Sequence, residues 1–165
     1  MKKTILIFGA IIGLVLAAHA IFRMNLMYTH PDFKSSDLVG YASLFIMWSI
    51  IYFGVRNYRN NHLDGKISFL KALKTGALIC VIASTLYVIV GLAYYYIFAP
   101  DFIDVFTDYV LRHSAPEDLA TKTAQMAEFK EMYKNPLFAI FITYIEVMPF
   151  GLIVALVSAF IVRRK

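Results

Sequence analysis

The sequence predicts an all-α fold: an antiparallel four-helix transmembrane bundle, one membrane domain over residues 1–165, with an amphipathic helical hairpin between helices three and four. Three observations lead there. The chain is 60% hydrophobic and only 16% charged, with mean hydropathy +0.66, whereas about a quarter of a soluble domain is charged. Its apolar residues fall into four runs, each near the ~20-residue length that crosses a bilayer. Its basic residues flank those runs, as cations do at the ends of membrane helices.

The first span covers about residues 4–27, interrupted only by His19, Arg23 and Asn25. The second covers about 38–55, with Trp48 in its middle as a packing residue. The third covers about 69–99 and the fourth about 136–162. The last two exceed the bilayer thickness, so they are expected to tilt or to protrude. The single cysteine, Cys80, lies in an apolar run. That excludes an intrachain disulfide and marks Cys80 as small buried filler.

Charge assigns the orientation. Lys2 and Lys3 precede span one; Arg56, Arg59, Lys66, Lys71 and Lys74 lie between or beside spans two and three; Arg163, Arg164 and Lys165 follow span four. Only Asp64 accompanies these ten cations. The other side carries Arg23, Lys34, Arg112, Lys122, Lys130 and Lys134 against nine acids. An excess of Lys and Arg marks cytoplasmic flanks, so both termini are expected in the cytoplasm and the protein in the bacterial inner membrane. The net charge of +5 is explained by these flanks, and no nucleic-acid-binding motif accompanies it.

The start, Met1-Lys2-Lys3 followed by an apolar stretch and Ala18-His19-Ala20, also resembles a cleavable signal peptide. The apolar run continues through Ile21 and Phe22, longer than such a segment needs, and carries a packing motif at Gly9 and Gly13. The first helix is therefore expected to be retained.

Residues 100–135 form the one substantial segment outside the spans. After Pro100, the spacing of Phe102, Val105, Phe106, Tyr109 and Val110 makes one apolar helix face. Asp101, Asp104 and Asp108 take the polar side. Ser114-Ala115-Pro116-Glu117 matches a capping box that would open a second helix. Leu119, Met126, Phe129 and Tyr133 give that helix a partial stripe, and Asp118 and Lys122 are spaced for an i,i+4 pair. Asn135-Pro136 ends it and opens span four. The hairpin is expected to dock on the bundle's outer mouth; its acidic character disfavours adsorption to anionic lipid. A partner- or ligand-binding cap is the sharper alternative.

Glu146 is the main candidate for chemistry. It sits ten residues into span four, where an ionisable group must face the interior or water. Pro149 and Gly151 follow it, and the expected kink would open a polar cavity. His19 and Arg23 lie at comparable depth in span one, and Tyr94 and Tyr95 near the outer end of span three. These five residues form the candidate polar pocket; a neutral Glu146 that only fixes helix packing is the competing reading. Tyr94, Tyr95 and Tyr96 also suit an interfacial aromatic belt. Small residues recur every four positions: Gly9, Gly13 and Ala17; Gly76, Cys80 and Ser84; Gly151, Ala155 and Ala159. Such stripes let helices approach closely, within one chain or between two copies.

Walker A, G-x-S-x-G and H-E-x-x-H motifs are absent, and the four histidines have no metal-ligand spacing. No catalytic residue, metal site or cofactor is expected, nor an enzyme. No internal repeat suggests an inverted-repeat transporter.

Several segments are similar to a known family. They are Gly65-Lys66-Ile67-Ser68-Phe69, the run into Pro100-Asp101-Phe102, the stretch from Met126 to Pro136, and Glu146-Val147-Met148-Pro149-Phe150-Gly151. The chain resembles a bacterial domain-of-unknown-function family, number 4199, over nearly its whole length. The resemblance implies a four-helix inner-membrane protein of Bacteroidota-type bacteria and supplies no activity. The expected function is a non-enzymatic accessory, assembly or interaction component. Its expected partners are the lipid bilayer and a second copy or another membrane protein. A small transporter or channel built around Glu146 is the alternative.

Overall fold

The computed structural model describes residues 1–32 and 36–164, with the Asp37 side chain left aside. Lys34 and Lys165, both used above to assign orientation, lie outside the described residues. The described residues form helices joined by short connections, with one isolated bridge and no strand. Its helices are α1 (Lys2–Thr29), α2 (Asp37–Trp48), α3 (Ile50–His62), α4 (Phe69–Phe98), α5 (Phe102–Arg112), α6 (Leu119–Tyr133) and α7 (Pro136–Val162). Four stretches are long and apolar enough to cross a membrane: α1, α2 with α3, α4, and α7.

Span two is longer than its apolar run. It continues to His62 and is interrupted at Ser49, whose amide bonds back to the Phe45 and Ile46 carbonyls at 2.9 and 3.2 Å. The Ser49 hydroxyl donates to the Ile46 carbonyl at 2.6 Å. A serine that bonds back to the preceding turn in this way often bends a helix. The α3 end is set by Asp64 and Gly65, both at positive φ, a region in which glycine is unstrained.

The helices pack through their small residues. A Cβ built on Gly9 would come within 2.6 Å of the Ile82 side chain, and one on Gly13 within 2.8 Å of the Ala83 carbonyl oxygen. Residue numbers rise together along this seam, so α1 and α4 run in the same direction. A Cβ on Gly76 would lie 2.9 Å from that of Ala155 on α7. Gly54 of α3 lies against Phe8 and Ile79. In lipid such close approach is what holds helices together, because an apolar neighbour gains nothing by leaving an equally apolar solvent.

The core lies toward one end. Ile12, Leu16, Trp48, Ile51, Ile79 and Ala155 are almost wholly buried. The Trp48 Nε1 has no hydrogen-bond partner among the described residues. That end is stitched by polar contacts. Arg59 Nη1 donates to the Val162 carbonyl at 3.0 Å, and Ile67 and Arg164 exchange backbone bonds of 3.0 Å. Thr4 Oγ1 and His62 Nε2 are 3.5 Å apart. In α1 burial stops at Ala17, and in α4 at Val88. Beyond those positions the helices part, and α5 and α6 lie across the gap.

Two expectations for this hairpin are corrected. The Ser114 capping box does not form: the Ser114 hydroxyl turns back to the Val110 carbonyl at 2.7 Å, and a single 3-10 turn, Pro116–Asp118, leads into α6. Asp118 and Lys122 form no ion pair. The ion pairs among the described residues are Lys130–Asp104, between α6 and α5, Arg112–Asp32 and Lys134–Glu131. The tertiary contact takes Lys130 to the α5 face instead. The Asn135 side chain does cap α7, accepting from the Leu137 amide at 3.0 Å.

Candidate functional site

The gap between the parted helices is a cavity of about 740 Å3. Its walls come from α1, α2, α4 and α7, and its roof from α5 and α6. Glu146, His19, Arg23 and Tyr95 all line it. Glu146 and His19 lie ten residues, ~15 Å, from the outer ends of α7 and α1, and Arg23 and Tyr95 lie nearer the outer ends of α1 and α4.

Glu146 is exposed although it sits mid-helix, because it faces the cavity. Among the described residues no hydrogen bond or ion pair engages its carboxyl group. It interacts electrostatically with Arg23 across the cavity and with Tyr87 and Tyr133. Arg23 lies over Gly40 of α2, where a Cβ would approach its Nη1 to 3.0 Å. Glycine at this position makes room for the guanidinium. His19 Nε2 is 3.3 Å from the Ser43 hydroxyl, a contact with α2 and not with Glu146.

Tyr94 is not part of the cavity, a correction to the expected pocket. Its hydroxyl accepts from Asn25 Nδ2 at 2.9 Å. Consecutive residues on a helix point ~100° apart, and here Tyr95 takes the cavity side while Tyr94 turns toward α1. Pro149 and Gly151 do not open the cavity either. The helix α7 continues through Pro149, which is exposed. A Cβ on Gly151 would meet Cys80 Sγ at 2.5 Å and the Trp48 ring at 2.8 Å. Gly151 therefore closes a seam below the cavity. Pro149 has no N–H to offer the Ile145 carbonyl, and Ile145 lines the cavity.

The roof is aromatic. Phe102, Ile103 and Phe106 of α5 face Met126, Phe129 and Tyr133 of α6 across it. The Phe106 and Phe129 ring centroids are 6.2 Å apart, and those of Tyr95 and Tyr133 6.1 Å. Burial pushes the pKa of the Tyr133 hydroxyl above its ordinary value. Of the stripe read on α6, Leu119 points away and is 40% exposed. On α5 the buried residue is Ile103, outside the expected face.

Sequence reading missed Gly40, Tyr41, Thr143 and Tyr133 as cavity residues. Thr143 lies one turn from Glu146 and Tyr133 on the apolar stripe of α6, whereas nothing in the sequence marked Gly40 or Tyr41. A second, smaller cavity of about 180 Å3 lies between α1 and α2. His19, Arg23 and Met27 line both and form the partition between them. No group of three or more His, Cys, Asp or Glu among the described residues is placed to hold a metal ion.

Residues 6–164 match the model of a family described as "Protein of unknown function (DUF4199)". No curated protein and no solved structure gives a match.

Proposed function

We propose, for a chain that belongs to the DUF4199 family of proteins of unknown function, a non-enzymatic inner-membrane component that binds an amphipathic molecule in its roofed cavity. In this reading consecutive spans alternate in direction, both termini and the α3–α4 connection lie in the cytoplasm, and α5–α6 is periplasmic. The cation-rich ends of the spans support that orientation. Lipid is the solvent of the bundle, and any further partner docks on faces the small-residue seams leave unused.

The observation that carries the proposal is an acid and a guanidinium on facing helices, Glu146 and Arg23, within an otherwise largely apolar and aromatic cavity. Ionisable groups at such depth are expensive and mark ligand or ion sites by default. Binding pockets have this composition, an apolar wall with a few convergent polar groups. The buried core of Trp48, Ile51, Ile79 and Val147 at the cavity floor favours binding over a channel. A transporter would have to open that floor, and flux in proteoliposomes lost in Glu146→Gln would establish one.

Native mass spectrometry of the full chain in mild detergent tests the binding proposal. Gly91 lines the cavity with nothing within 4 Å of an added Cβ, so Gly91→Phe fills the space without meeting backbone. Retained amphiphile in the parent and reduced occupancy in this variant is the expected result. Equal occupancy in both would overturn the proposal.

A further inference from the structure

We infer that the cavity opens sideways into the bilayer, through a mouth between α2 and α7, and that its ligand is a lipid of the adjoining leaflet whose chain enters there. This names the source of the amphiphile proposed above and rests on that proposal.

Exposure locates the mouth. Of the residues that line the cavity, three are exposed, and all three stand on these two helices: Tyr41 of α2, and Ile145 and Glu146 of α7. Tyr41 is 54% and Ile145 49% exposed. The lining residues of α1, α4, α5 and α6 are buried or half-buried. Below the mouth the two helices are closed by rings. The Phe150 centroid is 5.9 Å from that of Tyr41 and 5.4 Å from that of Phe45. Glu146 precedes Phe150 by about one turn and so lies nearer the roof.

The mouth faces lipid. Glu146 is ten residues, ~15 Å, from the start of α7 at Pro136. The hydrocarbon layer is ~30 Å thick and the 27-residue helix ~40 Å long, so a mouth at this depth lies below the headgroups. On the aqueous side the roof stands in the way, lined by Phe102, Phe106, Met126 and Phe129 and tied across by Lys130 and Asp104. A molecule dissolved in the bilayer meets the opening directly; one dissolved in water meets the roof.

The rim of the mouth is polar. A carboxylic acid turned toward hydrocarbon is costly, yet Glu146 is exposed here. Pro149 has no N–H for the Ile145 carbonyl, so a backbone acceptor without its helical donor stands beside that acid. A bare alkyl chain would leave both groups unsatisfied. A lipid brings donors with its chain, in headgroup hydroxyls or amines and the water they carry. The volume of about 740 Å3 encloses a drug-sized group, so a two-chain lipid would place one chain inside and leave the other in the bilayer.

The test is photolabelling of the full chain in vesicles of phosphatidylethanolamine and phosphatidylglycerol. One set carries phosphatidylethanolamine with an aryl diazirine at the end of one acyl chain. The other receives a water-soluble aryl diazirine carboxylate. Peptide mass spectrometry locates the adducts. The expected result is lipid label at Met24 and Tyr87, which line the cavity on α1 and α4, as well as at Phe141, 61% exposed on the outside of α7. Ile145→Trp narrows the mouth and should lower the label at Met24 and Tyr87 several-fold, while Ile145→Ala should keep it. Equal label at Phe141 and equal melting temperatures in all three proteins separate access from folding.

Lipid label at Met24 and Tyr87 that Ile145→Trp leaves unchanged would overturn the mouth. So would label there from the water-soluble probe and none from the lipid. In both cases the cavity still takes a ligand, and the binding proposal stands. No label in the cavity from either probe, with no amphiphile retained in native mass spectrometry, would overturn both.

Discussion

Gly151 of α7 lies so close to Cys80 of α4 that an added Cβ would come within 2.5 Å of the sulfur. The Cys80 thiol in turn donates to the Met148 carbonyl at 3.6 Å. The contact locks the two helices just below the cavity floor, with the Trp48 ring as the third surface.

Gly151→Ala should therefore destabilise the bundle by about 1–3 kcal/mol, the usual cost of overpacking a filled core. Adding Cys80→Ala removes the sulfur clash but leaves the Trp48 ring 2.8 Å from the new methyl. The double variant should recover only part of the loss. Unfolding in mixed micelles, followed by circular dichroism, measures both.

Gly13 and Gly91 should respond oppositely to alanine. At Gly13 the new methyl would meet the Ala83 backbone oxygen at 2.8 Å, which cannot move without separating α1 from α4. At Gly91 nothing lies within 4 Å. Gly13→Ala should lower the melting temperature. Gly91→Ala should leave it unchanged or raise it slightly, since alanine is a better helix former by ~1 kcal/mol. Equal losses would show that helix seams do not limit stability.

The roof should loosen only at alkaline pH. The hydrogen bond and charge of Asp104 hold the Lys130 amine above its ordinary 10.5. A raised pKa means that the folded state favours the protonated amine. The contribution is fully present below 10.5 and is lost as pH rises through the higher folded value. Hydrogen exchange of α6 amides, corrected for intrinsic rates, should be flat across neutral pH and rise beyond that range. Salt should raise it only where the amine is protonated, because the pair is exposed and screened.

The Asn135 cap should matter in proportion to one helix end. Its side chain satisfies the Leu137 amide at 3.0 Å. Asn135→Ala should cost about 1 kcal/mol, with Asn135→Asp retaining most of the stability. Thermal unfolding of the three proteins decides it.

Much of this was legible in one dimension. Four apolar runs at bilayer length, their cationic flanks and the proline that opens α7 follow from the energetics of placing each residue in lipid or water. So does the depth of Glu146, His19 and Arg23, because a helix converts residue number into depth at a fixed rise. The inward side of α6 could be read from Met126, Phe129 and Tyr133, since a helix half in water carries an apolar stripe.

Tertiary structure alone decided which helix faces meet. The spans are apolar nearly all round, so hydropathy marks no face. Contact is chosen by shape, through the fit of Gly9 and Gly13 to α4 and of Gly151 to Cys80 and Trp48. Those seams close one end of the bundle and leave the other parted. That parting admits Tyr95 while turning Tyr94 to Asn25, and it makes Gly151 a closure where the sequence suggested an opening.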